Sequence, residues 1–464
     1  MNLNEIKKAY FIGIKGAGMT AVAEILKARE VEISGSDTKE IFFTDEILKR
    51  NDIKYFEEFS VENIPSDADL IIYSTAYNEN NNAEMMEARK RGMNILSYPE
   101  ALGELFKEKL GIAVCGTHGK TTTTAILATC LKEVGTDPSA IVGSKVIDWN
   151  GSSLSGKGNF FVAEADEYQN KLEYYNPWAV VLTSCDFDHP DFFPTFEDYK
   201  KVFVDFVSKI PKHGFLVVCG GDADAVEVSK SANCQVITYG FQEGCDYRIE
   251  DLSSKNWSED GELMKSFKIF HGEEILGLFK TPMIGRHNML NAAAAIAVCH
   301  KLKLDLEKVQ GAILSFKGTS RRFEKIGERD GAILIDDYAH HPEEIKATLK
   351  AAREKYYRKN IWTVFHPHTF TRTKALLHEF AQSFDNTDKV IVIDIYGSAR
   401  EFQGGVSSKE LVDLINKYTP GKAEYLPTIP EVVEFLKHKI GSKDVVISMG
   451  AGNVWQVTKE LLKV

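Results

Sequence analysis

Gly116-Thr117-His118-Gly119-Lys120-Thr121-Thr122 stands between the apolar run Gly111 to Cys115 and a helical pattern from Thr123 to Val134. A strand that stops at a glycine-bounded turn and restarts as a helix leaves several backbone N–H groups unpaired and aimed at one point. The helix dipole favours an anion at that same point. The pattern predicts a phosphate cradle. Lys120 brings a point charge to the outer phosphates of a nucleotide, and the hydroxyl of Thr121 or Thr122 suits Mg²⁺. The loop is shorter than the usual G-x-x-x-x-G-K-[ST], whose first glycine would fall at Val114. Gly-Lys-Thr alone is common in ordinary turns, so the order of strand, loop and helix is what favours the cradle.

Upstream, the strand Ala9-Tyr10-Phe11-Ile12 runs into Gly13-Ile14-Lys15-Gly16-Ala17-Gly18-Met19-Thr20-Ala21 and an apolar-periodic helix through Val22, Ile25 and Leu26. Gly16, Gly18 and Ala21 satisfy G-x-G-x-x-[GA]. Asp37 follows the next strand, Val31 to Ser34, at the distance where an acidic residue meets a ribose hydroxyl. NAD, FAD and sugar nucleotides all use such a turn against a diphosphate, so the motif names an anion and not a ligand. Leu70 to Ser74 is a further buried strand, ending in Ser74-Thr75-Ala76, small residues that let a ligand approach the sheet edge. A first domain boundary is expected near Leu110.

Downstream, the strand Phe160-Phe161-Val162-Ala163 opens onto Glu164-Ala165-Asp166-Glu167, where a phosphate-loop enzyme holds its magnesium. A second strand, Ala179 to Thr183, ends in Asp186-Phe187-Asp188-His189-Pro190-Asp191. His189 reads either as a metal ligand or as part of an ordinary surface hydrogen-bonding cluster. Gly285 to Ala292 starts an alanine-rich helix on which Asn288 and Asn291 share a face, suited to a purine, with helix capping as the other reading of Asn288.

The last third reads as a separate small α/β domain. The strand Ala332 to Ile335 leads into Asp336-Asp337-Tyr338-Ala339-His340-His341-Pro342, and Ile361 to Phe365 leads into His366-Pro367-His368-Thr369-Phe370-Thr371-Arg372-Thr373. Both polar clusters lie at carboxyl ends of strands, the edge at which open parallel sheets bind ligands. Lys389 to Ile393 is followed by a loop with Tyr396 and Arg400. Val445 to Asn453 is again a strand entering a glycine turn, read as structural.

A chain of 464 residues with 44% hydrophobic content is too long for one core, so two or three domains are expected. A net charge of -11 argues against a general nucleic-acid binder. Seven cysteines without a C-x-x-C pair suggest free thiols in a reducing compartment, and a cytoplasmic protein is expected. The polar segment Met1 to Lys8 predicts no secretory signal, and no apolar run has the length of a membrane span.

In order along the chain, Gly13 to Met19, Gly116 to Thr124, Glu164 to Glu167, Asp188-His189, His287-Asn288 to Asn291, Arg321-Arg322-Phe323, Asp336 to Pro342 and Pro367 to Thr373 resemble the ATP-dependent Mur ligases of peptidoglycan synthesis. The likeness covers essentially the whole chain. It implies an α/β protein of three domains: a Rossmann-like UDP-sugar-binding domain over 1–110, a central P-loop-type ATP-binding domain over 111–317, and a small Rossmann-like amino-acid-binding domain over 318–464. The reaction implied is ATP-dependent amide formation between UDP-N-acetylmuramate and L-alanine through an acyl phosphate, with Mg²⁺, or Mn²⁺ in its place, by a monomer or weak homodimer. By the same likeness the UDP-sugar meets Gly13, Gly16, Ala17, Gly18, Met19, Ser36, Asp37, Ser74, Thr75 and Ala76. ATP meets Gly116, Thr117, His118, Gly119, Lys120, Thr121, Thr122, Asn288, Asn291, Arg321 and Asp336. Lys120, Glu164, His189 and Arg322 are the implied catalytic groups, Thr121, Glu164 and His189 the metal ligands, and Tyr338, His340, His368 and Arg372 the amino-acid site.

Gln169-Asn170-Lys171 stand where relatives often carry Ser or Asp and then Phe, Pro190 where many have Met, and Thr369 where some carry Arg. A recycling relative that attaches a preformed tripeptide shares much of the pattern, although Phe365 to Thr373 looks more like the alanine-adding type. Lys200 and Lys201 leave open whether the carbamylated lysine of sibling ligases has a counterpart. Two other classes remain: a nicotinamide-dependent oxidoreductase acting through Gly16 to Ala21, and a P-loop ATPase that forms no bond.

Overall fold

The computed structural model describes residues 3–252, 264–397 and 403–463, so Arg400 and the first two residues of the N-terminal segment lie outside the described residues. The architecture is α/β, and the described strands form three sheets. The first sheet is parallel, in the order Lys54–Phe56, Glu32–Ser36, Lys8–Ile12, Leu70–Tyr73, Ile95–Ser97. Its centre lies where the chain switches direction across the sheet, beside the glycine turn at Gly13. Gly13 has φ +83°, and a β-carbon there would lie 2.7 Å from the Tyr77 ring and 2.9 Å from Ser74. The backbone conformation and the close approach both call for glycine.

The central sheet has ten strands. Its parallel middle runs Gln235–Gly240, Phe215–Cys219, Ala179–Leu182, Leu110–Cys115, Phe160–Glu164, Ser139–Val146. Antiparallel additions close both ends: Gly151–Leu154 on one side, and Lys265–His271 with Glu274–Thr281 on the other, joined through Tyr247–Asp251. The phosphate-loop strand therefore lies between the strands that carry the two acidic clusters. Val114 pairs with Glu164 and Cys115 with Leu182. That register delivers the loop, Glu164 and the turn after Leu182 to one sheet edge.

The helix after the loop spans Lys120–Glu133, three residues earlier than its periodicity predicts, because Gly119 at φ +81° turns the chain directly into it. Thr121 to Leu131 are all buried. This helix packs against Arg286–Lys301, whose run Ala292 to Ala297 is also buried. Small side chains there permit close backbone approach without leaving voids.

The third sheet runs Glu324–Arg329, Ala332–Asp337, Asp444–Met449, Asn360–Phe365, Lys389–Val392, Ala423–Tyr425, with only the first strand antiparallel. Asp444–Met449 is buried along its whole length, as a strand covered on both faces must be. Among the described residues, no helix is long and apolar enough to cross a membrane. All seven cysteines are free thiols.

Candidate active site

The phosphate loop is built as its sequence requires. Gly116 has φ +123°, and a β-carbon would sit 2.4 Å from the Thr183 hydroxyl. At Gly119 it would sit 2.5 Å from Asn291 Oδ1. The Thr183 hydroxyl lies within 3.0 Å of the Cys115 carbonyl and 2.6 Å of the His118 carbonyl, and Ser184 Oγ accepts the His118 N–H at 2.9 Å. The Thr117 hydroxyl donates to the Asp186 carbonyl at 2.7 Å. The rim of the cradle is thus fixed by the neighbouring strand end. Thr122, together with His118 and Gly119, faces the adjoining cavity.

Lys120 folds back over the loop, with Nζ 2.5 Å from the Gly116 carbonyl, 3.1 Å from that of Thr117 and 3.0 Å from Glu167 Oε2. Burial works against its charge, but Glu167, Asp166 and Glu164 more than offset this and hold its pKa above the ordinary lysine value. A bound phosphate would offer the same ammonium an anionic partner. The Thr121 hydroxyl donates to Glu164 Oε1 at 2.8 Å, and Gly143 N–H donates to Oε2 at 2.6 Å. Burial raises the Glu164 pKa against those two bonds.

His189, at φ +57°, joins Asp166 and Glu167 in a group whose donor atoms all lie within 4.8 Å of one another. Glu164 lies outside that group and pairs instead with Thr121. The three expected metal ligands are therefore divided: Thr121 pairs with Glu164, whereas His189 groups with Glu167 and Asp166. Two carboxylates and an imidazole at this spacing suit a hard divalent cation that also binds phosphate oxygens. Sequence reasoning placed magnesium at the Glu164 to Glu167 cluster but singled out Glu164 and not Asp166 or Glu167, and it left out Tyr199, whose hydroxyl donates to Glu167 at 3.0 Å.

A cavity of ≈ 370 Å³ opens beside the loop between the central and third sheets. His118, Gly119 and Thr122 form one wall, His287, Asn288 and Asn291 a second, and Arg322, Asp337 and Glu344 a third. Tyr239, Phe241 and Ile284 make one end apolar. Asn288 and Asn291 do share a helix face here, with Asn291 Nδ2 donating to Asn288 Oδ1 at 3.1 Å and Asn288 Nδ2 to the Ile284 carbonyl at 2.8 Å. Glu344 Oε1 lies 3.3 Å from His118 Nδ1 and 3.9 Å from Arg322, and Glu344 Oε2 accepts the His340 N–H at 3.0 Å. Asp337, pushed up to about 6 by burial against the pull of Arg322, accepts the N–H groups of Phe323 and Ala339.

Arg321 and Asp336, expected on the nucleotide, do not reach this cavity. They pair with each other at 2.8 Å, and Arg321 also donates to the Gly450 carbonyl at 2.6 Å. Both line a second cavity of ≈ 410 Å³ with Tyr338, Tyr396 and residues 40–43 of the first domain. Successive residues of a strand face opposite sides of its sheet, so Asp337 lines the cavity beside the loop and Asp336 the second one.

Of the expected amino-acid residues, His340 and His368 lie 6.1 Å apart, ring to ring, beside Tyr338 and Arg372. Burial lowers both imidazoles, His340 to about 4. Arg372 does not present a free fork. Its Nε and Nη2 both donate to Asp188 Oδ1, at 3.0 and 2.9 Å, across the gap between the central and third domains, with both side chains buried. Burial opposes the Asp188 charge, yet Arg372 holds its carboxyl well below the usual range.

In the first domain Gly16 caps the helix Ala17–Ala28, Met19 is buried, and a β-carbon on Gly18 would lie 2.4 Å from the Tyr98 ring. Ser74, Thr75 and Ala76 are half-buried at the strand edge. Ser36 and Asp37, expected on the sugar nucleotide, turn inward. The Ser36 hydroxyl donates to buried Glu84 at 2.5 Å, and Asp37 accepts N–H groups from Lys15 and Thr38 at 2.7 Å. Lys15, overlooked between the glycines, is itself buried and reaches the carbonyls of Thr38 and Glu40 at 3.0 Å. Lys200 is salt-bridged to Asp224 and Glu227, whose hydrogen bonds raise its pKa, and Lys201 is exposed beside Asp205. Carbamylation needs a neutral amine, which these carboxylates disfavour at Lys200.

A phosphate cradle on one domain facing ionisable groups on another defines a nucleotide-dependent enzyme whose site is completed between domains. The comparisons with known proteins narrow that class. The description "Mur ligase family, catalytic domain" matches residues 8–110, "Mur ligase middle domain" matches 114–299, and "Mur ligase, glutamate ligase domain" matches 321–452. The chain belongs to the Mur ligase family. It is 40% identical to a UDP-N-acetylmuramate--L-alanine ligase of Desulfitobacterium hafniense (strain Y51), over 98% of this chain and 99% of that one. It is 38% identical to the protein of the same name from Caldanaerobacter subterraneus, over 100% and 99% of the two chains. The crystal structure of the UDP-N-acetylmuramate-alanine ligase of Thermotoga maritima superposes with a TM-score of 0.82 at 26% identity, covering 98% of each chain.

Proposed function

We propose that this protein joins L-alanine to UDP-N-acetylmuramate in peptidoglycan precursor synthesis, converting ATP to ADP and phosphate. The observation that carries the reading is full-length identity to relatives of that name, combined with a phosphate loop whose lysine, acidic partners and histidine meet at one sheet edge. The glycine turn of the first domain is the site for the UDP-sugar. The cavity beside Gly119 is the site for ATP, with its base toward Tyr239, Phe241 and Ile284. The free thiols fit a reducing cytoplasm.

A carboxylate is a poor acyl donor because oxide would have to leave, so the γ-phosphoryl group of ATP is transferred to it first. Lys120 shifts from Glu167 to the phosphates and neutralises the charge that moves in that transfer. Thr121 with Glu164, and His189 with Glu167, would hold Mg²⁺, which shields the phosphate charge. The alanine amine, held near His340, His368 and Tyr338, attacks the acyl carbon and phosphate departs. Contact between the central and third domains through His118–Glu344 and Asp188–Arg372 keeps water from the acyl phosphate. Phosphate release from ATP with UDP-N-acetylmuramate, run against a panel of amino acids and short peptides, tests the assignment. Release with L-alanine is expected; release only with a tripeptide, or without any amine, would overturn it.

A further inference from the structure

The segment leaving the acidic strand has a shape that the ligase reading does not use. Two successive residues, Gln169 (φ +58°) and Asn170 (φ +56°), take left-handed backbone conformations that side chains bearing a β-carbon adopt reluctantly. Their effect is to turn the chain back on itself. Lys171 Nζ returns to Asp166 at 2.6 Å and stands 5.3 Å from the centre of the Tyr168 ring. The Lys171 side chain is 14% exposed and that of Asp166 40%, so the bridge is sheltered on the lysine side and open to solvent on the carboxylate side. Tyr168 in turn lies against the His189 ring at 4.5 Å and donates its hydroxyl to Asp191 at 2.7 Å. One short turn therefore touches both halves of the cation cluster, the carboxylate through Lys171 and the imidazole through Tyr168.

The two lysines of the cluster differ in what else they can bind. Lys120 pairs with Glu167 but belongs to the phosphate loop, so an arriving phosphate competes for its charge. Lys171 is tied by the reversed turn to the residue it neutralises. We propose that Lys171 is a positioning residue that keeps Asp166 out of the cation's shell, leaving Glu167 and His189 as the protein donors of this set and limiting how tightly the cation is held. The proposal rests on the reading of this cluster as a cation site.

The test is Mn²⁺ binding to the full chain with a non-hydrolysable ATP analogue, followed by the electron paramagnetic resonance of free Mn²⁺. Lys171→Met frees a carboxylate and should tighten Mn²⁺ on the order of tenfold, the effect of one uncompensated charge at close range in a half-buried site. Asp166→Asn should stay within about twofold of the parent, and the double variant should lose the gain, since the charge at issue is then absent. Lys171→Arg keeps the charge and should bind as the parent does. A roughly tenfold loss in Asp166→Asn would make Asp166 a ligand and overturn the proposal. Unchanged affinity in a folded Lys171→Met protein would overturn it equally. Absence of bound Mn²⁺ in the parent protein would instead remove the cation reading beneath it.

Discussion

The Arg372–Asp188 pair gives the sharpest prediction, because its geometry departs from the role the sequence suggests. Two guanidinium nitrogens converge on one carboxylate oxygen within 3.0 Å, and the partners come from different domains. Side-chain exposures of 5% and 7% mean that removing either partner strands a charge away from water. Such a loss costs about 3 kcal/mol or more, equivalent to a shift on the order of a hundredfold in the population with the domains correctly apposed. Arg372→Met and Asp188→Asn should therefore each lower kcat/KM for L-alanine by on the order of a hundredfold. The double variant should be no worse than the poorer single, because no buried charge is then left alone. Steady-state kinetics with varied L-alanine, alongside small-angle scattering for compactness, measure both effects. Refutation would be a raised alanine KM in Arg372→Met with parental kinetics in Asp188→Asn, since the guanidinium would then serve the substrate and not the domain contact. Asp188 has a depressed pKa, so its contribution is present above its unfolded value near 4 and is lost only in strong acid. The latch should hold across the neutral range.

Lys120→Met should abolish phosphate release while calorimetry shows near-parental affinity for UDP-N-acetylmuramate, because the lysine and the Gly13 turn belong to different domains; equal loss of both would contradict that division. A second prediction concerns pH. Burial lowers His287, His340, His341 and His366 to about 4, helped by Arg322 beside His287 and Arg372 beside His340. Imidazoles that resist protonation when folded contribute stability above their unfolded value near 6.5 and lose it as pH falls toward 4. Asp337 and His118, whose pKa values are raised, act in the opposite sense, as do the carboxyls of Glu24, Asp37, Glu84, Glu164, Asp186 and Glu324, which burial raises from an unfolded value near 4, below that of the imidazoles. The thermal midpoint should fall between pH 7.5 and 5, with a shallower slope in His366→Asn; a midpoint constant over that range would contradict the assignment of neutral imidazoles.

The strand, glycine loop and helix around Lys120 were legible because each local signal agrees with its neighbour, and parallel pairing then brings Glu164 and the turn before His189 to the same edge. Gly13 was legible for the same reason. What escaped depends on side-chain direction or on long-range approach. Asp336 and Asp337 are chemically identical neighbours, and only the sheet decides which faces the cavity beside the phosphate loop. Arg321 and Arg322 are separated by left-handed backbone at Arg321 and Phe323, which no simple periodicity encodes. The Arg372–Asp188 contact spans 184 residues of sequence, and nothing local at either position announces it. Ser36 looked available at a strand end, but buried Glu84 needed a donor and took its hydroxyl.

Isotope transfer tests the chemistry most directly. With UDP-N-acetylmuramate labelled by ¹⁸O in its carboxylate, turnover with ATP and L-alanine should place one labelled oxygen in the inorganic phosphate released, as an acyl phosphate requires. Phosphate free of the label would contradict activation of the sugar acid over Lys120.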